Sequence, residues 1–288
     1  MVEVLLCTLC LVFTSFFTSC KYGPQDAFFR EYNSNKRTQS IFELEEKDVP
    51  SPSSDVYTVA VFSDIHFGKK KATRHEQDFL NWLEKSKENG TAPEFCICLG
   101  DIVDHGLKEE FKGYVDFTRK VEEILGSGKI YNVLGNHDLY NDGWDYYTEM
   151  VFPYKSIYHF KTKQFSWYCI DSASGTLGKK QFNKIKDAFD EDPAPKIVMT
   201  HIPVYSNPLN NLGYFSFQNT YEADMLLTLY AKNNVKLILN GHIHKTYKNY
   251  FNNCIEMTVP SVIEENKWMV LTIDEENCTI KEELVYGQ

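Results

Sequence analysis

The strongest constraint on the fold is a regular alternation of short apolar runs with segments of helical periodicity. Val56–Phe62 and residues 95–99 and 129–133 are rich in β-branched and other apolar side chains, which is typical of buried strands. Between them, residues 74–87 and 108–125 place apolar side chains on one helical face. This β-α-β-α-β order with short loops predicts a parallel-type sheet covered by helices.

The second half of the chain continues this pattern and then changes. Its predicted elements are a hairpin, two helices and two strands, at residues 156–171, 178–189, 221–232, 196–199 and 235–239. The tail, residues 247–285, alternates short β-like runs with Asn- and Asp-rich turns. We therefore expect a second set of strands that is more antiparallel than the first.

Polar side chains with ligand or acid–base chemistry follow five of the predicted strands. They are Asp64 and His66, Asp101, Asn136 and His137, His201, and His242 and His244. Carboxylate, imidazole and amide groups without a thiolate suit Mn, Fe or Zn. Eight such groups exceed what one ion needs but match two ions that share a carboxylate, the usual arrangement for hydrolysing phosphate esters.

The loop Gly135-Asn136-His137-Asp138 carries three of these chemical groups on one tight turn. Gly135 allows the sharp turn and the close approach of the backbone. An imidazole beside a metal pair can protonate a leaving alkoxide, so His137 is a candidate general acid. Asp138 follows it directly, and we expect its carboxylate to orient the imidazole.

Taken in order along the chain, these motifs resemble those of a known family. Asp-x-His, Gly-Asp-x-x-Asp, Gly-Asn-His-Asp, a lone His after a strand, and Gly-His-x-His resemble the calcineurin-like metallophosphoesterase superfamily over residues 56–250. The resemblance implies an α/β four-layer sandwich of two mixed β-sheets flanked by helices. The segments at residues 136–144 and 171–178 look similar to bacterial exported members.

The resemblance also implies a role for each motif residue. The first metal ion would be held by Asp64, His66 and His244, and the second by Asn136, His201 and His242. Asp101 would bridge the two ions, whereas His137 would lie beside them without binding. Position 104 is Asp rather than the Tyr of the purple acid phosphatase branch, so a tyrosinate–iron centre is not expected. Asp104 itself could support the ligands or merely cap the loop.

These roles predict hydrolysis of a phosphomonoester or phosphodiester by a metal-bridged hydroxide. Two cations lower the pKa of a bound water and neutralise charge that builds up on the phosphoryl oxygens. An alternative is a catalytically weak surface lipoprotein that uses the fold as a binding scaffold. The aromatic loop at residues 205–217, with Tyr214 and Phe215, could stack on the substrate or simply close onto the core.

The N-terminus predicts export. Residues 4–17 are almost unbroken Leu, Val, Phe, Cys and Thr, about the length of a secretory signal core. The following Phe17-Thr18-Ser19-Cys20 resembles a lipobox, so residues 1–20 are predicted to be a signal peptide with lipidation at Cys20. We expect a lipid anchor to a bacterial cell-envelope membrane, with a secreted or periplasmic protein as the alternative. Residues 21–54 are predicted to be a polar tether, poorly ordered in part, and residues 55–288 to be the phosphoesterase domain.

Charge narrows the range of partners. The net charge is −10 and the pI about 5.3, so we expect no nucleic-acid partner. The expected partners are a phosphate-ester substrate and a membrane. The sequence does not indicate the oligomeric state.

Overall fold

The strands of this chain form two mixed sheets with helices outside. The computed structural model describes residues 30–126, 129–205, 217 and 219–287. Its strands are β1 (Phe42–Glu43), β2 (Val56–Phe62), β3 (Phe95–Cys98), β4 (Ile130–Asn132), β5 (Tyr158–Lys161), β6 (Ser166–Cys169), β7 (Lys196–Met199), β8 (Val235–Asn240), β9 (Tyr247–Phe251), β10 (Cys254–Thr258), β11 (Lys267–Asp274) and β12 (Thr279–Tyr286). Its α-helices are α1 (Arg30–Arg37), α2 (Ala72–Glu88), α3 (Lys108–Leu125), α4 (Gly143–Met150), α5 (Gly178–Glu191), α6 (Thr220–Lys232) and α7 (Val262–Glu265).

The two sheets contain seven and five strands. The larger has the order β1-β5-β6-β7-β8-β10-β9, and the smaller has the order β12-β11-β2-β3-β4. β2, β3 and β4 are parallel, as are β6, β7 and β8, whereas β11 and β12 are antiparallel to their neighbours. The predicted fold class, two mixed sheets flanked by helices, is confirmed.

Side chains that point alternately to the two faces of each strand form the core on both sides of the sheet. In β2, Val59 and Val61 face the space between the sheets, where they join Trp167 of β6 and Met199 of β7. The intervening Ala60 and the residues on its face pack against α2 and α3 instead. Because side chains alternate across a strand, one sheet can bury both faces, which accounts for the buried apolar run from Val59 to Phe62 in β2.

Helices cover the outer faces of both sheets. Phe79 of α2 and Phe117 of α3 pack on the smaller sheet, whereas Phe189 of α5 and Leu226 of α6 pack on the larger one. The order of layers is therefore helix, sheet, sheet, helix. Each parallel strand ends at the same edge of its sheet, which brings the polar strand ends together.

The segment before β2 differs from its prediction as a tether. In α1, Ser34 donates a hydrogen bond to the carbonyl of Leu177, and β1 pairs in parallel with β5, with Phe42 opposite Tyr158. Parts of residues 30–49 are thus packed on the domain, and the folded part begins before residue 55. The sequence did not indicate this packing because the segment has only a few scattered apolar side chains, such as Leu44 and Phe42, which reach the core without a regular hydrophobic period.

Two predictions lie outside the described residues. The signal peptide, residues 1–20 with Cys20, falls within the first 29 residues, and Tyr214 and Phe215 fall within residues 206–216. Both predictions stand as they were made. Among the helices that the structure describes, none has the length and apolar character needed to cross a membrane.

Candidate metal centre

The predicted ligands come together at the carboxyl ends of strands from both sheets. Asp64 and His66 follow β2, Asp101 follows β3, and Asn136 and His137 follow β4 in the smaller sheet. From the larger sheet, His201 follows β7, and His242 and His244 follow β8. Within the described part of the chain, three groups of side chains could each hold a metal ion. Two of them share Asp101 and are called here the metal-competent groups, and the third consists of His66, Asp104 and His137.

The first group contains Asp64, His66, Asp101 and His244. The Nε2 atom of His244 lies 3.3 Å from Asp64 Oδ1 and 3.4 Å from the Nε2 atom of His66. The Nε2 atom of His66 also lies 3.9 Å from Asp101 Oδ2. Two carboxylates and two imidazoles therefore face one small volume.

The second group contains Asp101, His201 and His242, and Asn136 adjoins it. The Nε2 atom of His201 lies 3.1 Å from Asn136 Oδ1 and 3.4 Å from Asp101 Oδ2. The rings of His201 and His242 meet edge to face with centroids 5.1 Å apart. The structure thus brings together all seven predicted metal ligands, and the assignment of each ligand to a particular ion stays a prediction.

The backbone at five of these residues adopts the left-handed conformation. The φ angles are 54° at Asp64, 49° at His66, 50° at Asp101, 68° at His242 and 62° at His244. Such angles are uncommon outside glycine and cost of order 1–3 kcal/mol each, so the surrounding structure has to impose them. Concentration of this strain at one place marks a functional site.

Gly135 is required for the close approach of two strand ends. A Cβ atom at this position would lie 2.0 Å from the backbone nitrogen of Asp101 and 2.3 Å from its Oδ1 atom. A side chain there would displace the carboxylate that both groups share. The glycine of the Gly-Asn-His-Asp motif therefore serves close packing, as the sequence predicted.

Neighbouring groups orient the histidines. The Nδ1 atom of His201 donates to the carbonyl of Leu99 at 2.7 Å, which leaves Nε2 as the nitrogen that faces the group. The Nδ1 atom of His66 lies 3.3 Å from Asp104 Oδ1. Metal-binding histidines commonly use their second nitrogen in this way. Asp104 therefore supports a ligand as well as its own loop.

His137 belongs to neither of the two groups that share Asp101, but it forms the third candidate group with His66 and Asp104. Its ring stands edge to face with that of His66, with centroids 4.6 Å apart, and its side chain is 21% exposed. Its Nδ1 atom donates to the carbonyl of Asp104 at 2.8 Å, so Nε2 is the nitrogen able to exchange a proton with a substrate. Burial lowers the pKa of His137, against the charges of Asp101 and Asp104.

The predicted role of Asp138 is wrong. Its Oδ2 atom accepts from the backbone nitrogen of Gly135 at 2.8 Å, and its Oδ1 atom accepts from that of Val103 at 3.1 Å. Consecutive residues of a helical turn point in different directions. Asp138 is therefore completely buried, whereas the side chain of His137 is partly exposed. Asp138 ties two strand-end loops together, and the carbonyl of Asp104 orients His137 instead. Burial, with the charge of Asp101, raises the pKa of Asp138 to about 7.

Electrostatics at the centre favour bound cations. Burial alone would raise the pKa of Asp101, but His201, His137 and His66 hold it well below its usual range. Burial alone would lower the pKa of His201, but the carboxylates of Asp101 and Asp64 raise it to about 9. The same negative charge attracts divalent cations, which compete with protons for histidine nitrogens.

One orphaned atom fits a metal ligand directly. Asp64 Oδ1 is buried and accepts no hydrogen bond among the described residues, although His244 Nε2 lies 3.3 Å away. A buried carboxylate oxygen that accepts no hydrogen bond is costly unless a cation takes that position. The donor set of oxygen and imidazole nitrogen around it therefore fits Mn, Fe or Zn.

Two buried residues near the centre were not singled out from the sequence. Ser172 Oγ accepts from the backbone nitrogens of His201 and Ile202, and Glu256 accepts from the backbone nitrogen of Val204. Glu256 could have been found, because an acidic residue in the middle of an apolar strand needs buried partners. Ser172 carries no such signal, since a serine after a strand is ordinary.

The sequence matches the calcineurin-like phosphoesterase family over residues 57–246. The chain belongs to this family. Every motif that carried the resemblance lies inside the matched residues, so the predicted superfamily is confirmed, whereas the bacterial exported type stays a prediction. No curated protein matches the chain at a significant level.

Solved structures share the fold at low sequence identity. A dimetal phosphatase from Danio rerio is 10% identical with a TM-score of 0.60, and the alignment covers 81% of this chain and 99% of that one. The inner-membrane-complex anchor GAP50 of Plasmodium is 17% identical with a TM-score of 0.60, covering 81% and 85%. Purple acid phosphatase PPD1 from yellow lupin, Lupinus luteus, is 16% identical with a TM-score of 0.61, covering 83% and 53%. These likenesses establish the fold alone.

Proposed function

We propose that this protein hydrolyses phosphomonoester or phosphodiester bonds at a dinuclear metal centre. The observation that carries the proposal is the position of Asp101, which belongs to both metal-competent groups. A shared carboxylate between two sets of ligands is the arrangement that two-metal phosphoesterases need. Membership in a phosphoesterase family supports the same reaction class.

In this proposal, Asp64, His66 and His244 would hold one ion and Asn136, His201 and His242 would hold the other. Asp101, which belongs to both groups, would contribute to each. When bound, the two ions supply Lewis acidity, which lowers the pKa of a water ligand and offsets negative charge on the phosphoryl group. Mn, Fe and Zn all suit these donors, and the donors alone do not select one of them.

The protein's own residues position the substrate and move the proton. His137, fixed by the carbonyl of Asp104, presents Nε2 to the leaving-group oxygen or to a phosphoryl oxygen. Asp101 Oδ1 accepts from the backbone nitrogen of His137 at 2.8 Å, which ties the imidazole's loop to the shared ligand. The candidate acid and the centre are therefore joined by a direct hydrogen bond, which favours a fixed orientation between them.

A binding scaffold is the competing function. GAP50 of Plasmodium has this fold and is described as an anchor, so the fold by itself does not require catalysis. The observation against a pure scaffold here is the complete ligand set, together with the strained backbone that presents it. A protein that used only its outer surface would have no reason to keep either.

The proposal is tested on the purified protein. We expect metal-free protein to be inactive. Addition of one or more of Mn, Fe, Co, Ni and Zn should restore hydrolysis of p-nitrophenyl phosphate esters. His201→Ala should abolish this activity, whereas His159→Ala should retain it, because His159 stacks on Tyr168 and belongs to no metal-competent group among the described residues. Full activity of His201→Ala with excess metal, or no metal binding and no turnover in any reconstitution, would overturn the proposal.

We further propose that the protein is exported and lipid-anchored through Cys20. The support is the sequence alone: an apolar run of signal length followed by a lipobox-like cysteine. In a bacterial host, Cys20→Ser is expected to move the protein from the membrane fraction to the soluble extract. An unchanged distribution would contradict lipidation at this residue.

A further inference from the structure

A buried ion pair joins the N-terminal helix to the domain. Arg37 of α1 donates from Nε to Asp171 Oδ2 at 2.9 Å and from one terminal nitrogen to Asp171 Oδ1 at 3.1 Å. It also donates to Ser174 Oγ at 2.9 Å. The side chain of Arg37 is 7% exposed and that of Asp171 is completely buried. Bidentate pairing of this kind fixes the orientation of both side chains.

Arg37 is hydrogen-bonded to the loop at residues 171–174, and this loop supports the predicted metal ligand His201. Asp171 precedes Ser172, whose Oγ atom accepts from the backbone nitrogens of His201 at 3.1 Å and Ile202 at 2.8 Å. It also accepts from Thr200 Oγ1 at 2.8 Å. One hydroxyl oxygen therefore holds the backbone at the end of β7.

His201 is sensitive to the position of that backbone. Its Nε2 atom lies 3.1 Å from Asn136 Oδ1 and 3.4 Å from Asp101 Oδ2, inside the second group. Metal sites tolerate displacements of only about 0.5 Å before the productive geometry is lost. A shift of the 171–174 loop would pass through Ser172 to this imidazole.

The remaining partners of Asp171 do not replace Arg37. The backbone nitrogen of Ala173 donates to Asp171 Oδ1, whereas Gln181 bonds only the backbone of Asp171, accepting from its nitrogen and donating to its carbonyl. Without the guanidinium, a completely buried carboxylate would keep a single donor. An uncompensated buried charge is unfavourable, so the loop would rearrange toward water.

We propose that Arg37 is a positioning residue for the second metal site and that the N-terminal helix completes the phosphoesterase domain. Arg37 lies outside the family's matched residues 57–246, so the family motifs do not supply it. The proposal rests on the proposed function for the identity of the site. It requires only that His201 binds a metal ion, and turnover is not needed to test it.

The test is calorimetric titration of Mn²⁺ into metal-free protein, which separates two binding events. For Arg37→Ala we expect the dissociation constant of one site to rise roughly tenfold, as for other residues that support metal ligands, while the other is unchanged. Arg37→Lys keeps the positive charge but loses the bidentate geometry of the guanidinium group. The dissociation constant of the same site should therefore rise, but by less than in Arg37→Ala. This second variant keeps the proposal testable if Arg37→Ala does not fold.

Ser34→Ala is the matched control. Ser34 lies on the same helix and donates a buried hydrogen bond to Leu177, but it does not touch the 171–174 loop. It should lower the melting temperature and leave both dissociation constants unchanged. If Arg37→Lys folds and binds both ions as wild type does, or if both sites weaken equally in the Arg37 variants and in Ser34→Ala, the positioning role is refuted. Wild-type protein that binds two ions but hydrolyses no ester would refute the proposed function and leave this inference standing.

Discussion

Glu256 gives the sharpest quantitative prediction. It lies completely buried on β10 and faces four nitrogen donors. Oε1 accepts from the backbone of Val204 at 2.7 Å and from Asn240 Nδ2 at 3.1 Å, and Oε2 accepts from the backbone of Tyr205 and from Asn249 Nδ2, both at 3.3 Å. Val204 follows His201 closely and Asn240 precedes the Gly241-His242 turn, so this carboxyl group links the ends of β7 and β8.

The pKa of Glu256 determines whether the free energy of unfolding rises or falls with pH. Burial raises it to about 7 from an ordinary value of 4.5, and the four donors offset only part of that shift. The folded state holds the proton of Glu256 more tightly than the unfolded state does. The stability that this proton contributes is therefore fully present below pH 4.5 and is lost as the pH rises through 7. At 1.36 kcal/mol per pKa unit, the loss approaches about 3 kcal/mol, of which roughly 2.5 kcal/mol falls between pH 5 and pH 8.

The substitution Glu256→Gln removes this pH dependence. At pH 5, where both side chains are neutral, the amide is expected to be less stable by about 1–3 kcal/mol, because its NH₂ group meets donors where an acceptor is needed. Glutamine cannot ionise, so its stability does not fall between pH 5 and pH 8 on account of this position. The gap between the two proteins should therefore close, and they should become about equally stable near pH 8.

Urea unfolding at pH 5, 6, 7 and 8, followed by tryptophan fluorescence, measures this difference. Other titrating groups cancel between the two proteins, and burial keeps the pKa values of nearby Tyr230 and Cys254 raised, so both stay neutral over this range. Glu84→Gln, on an exposed face of α2, removes the same formal charge and should show no such trend. A stability difference between wild type and Glu256→Gln that stays constant or widens with pH would refute the reasoning from burial.

Three other substitutions test the centre. His137→Ala should keep both metal ions and lose turnover by roughly 10²–10⁴-fold, most severely for esters with poor leaving groups, as steady-state kinetics would measure; an equal loss for all leaving groups would contradict an acid role. Asn136→Ala should instead weaken one metal site in calorimetry, because an oxygen ligand is removed. Gly241→Ala would place a Cβ atom 1.8 Å from Ser63 Oγ and 2.7 Å from Asp64 Oδ2. We expect it to displace Asp64 and to release the other ion, and metal content equal to wild type would exclude this.

Much of the fold could be predicted because it depends on periodic burial. The helix at residues 108–125 was located to the residue, since its apolar face packs on a sheet and Gly126 follows its last residue. The strands β2 and β7 were located equally well, because both consist mainly of apolar and β-branched residues. The rule that strand ends of parallel sheets meet at the same edge predicted that eight polar residues would lie together, and the family resemblance singled out seven of them as candidate metal ligands.

The contacts that refine the site could not be predicted in the same way. The group that orients His137 is the carbonyl of Asp104, and every residue has a carbonyl, so the sequence cannot mark this one. Asp138 looked like the better partner only because it is adjacent in sequence. The left-handed backbone at Asp64 and His242 is likewise imposed by the surrounding structure, since Asp and His adopt it more often than most residues but far too seldom for the residue type to locate it.

The two metal-competent groups also bear on how the sheets are held together. Asp64 and His66 come from the smaller sheet and His244 from the larger, and the second group has the same division, with Asn136 on one side and His201 on the other. Any ion bound by either set therefore connects the two sheets across their common edge. Since ligands that bind only the folded state stabilise it, metal binding and the packing of the two sheets are coupled. The N-terminal helix enters this coupling through Arg37, which explains why a segment outside the family's matched residues is packed so closely on the domain.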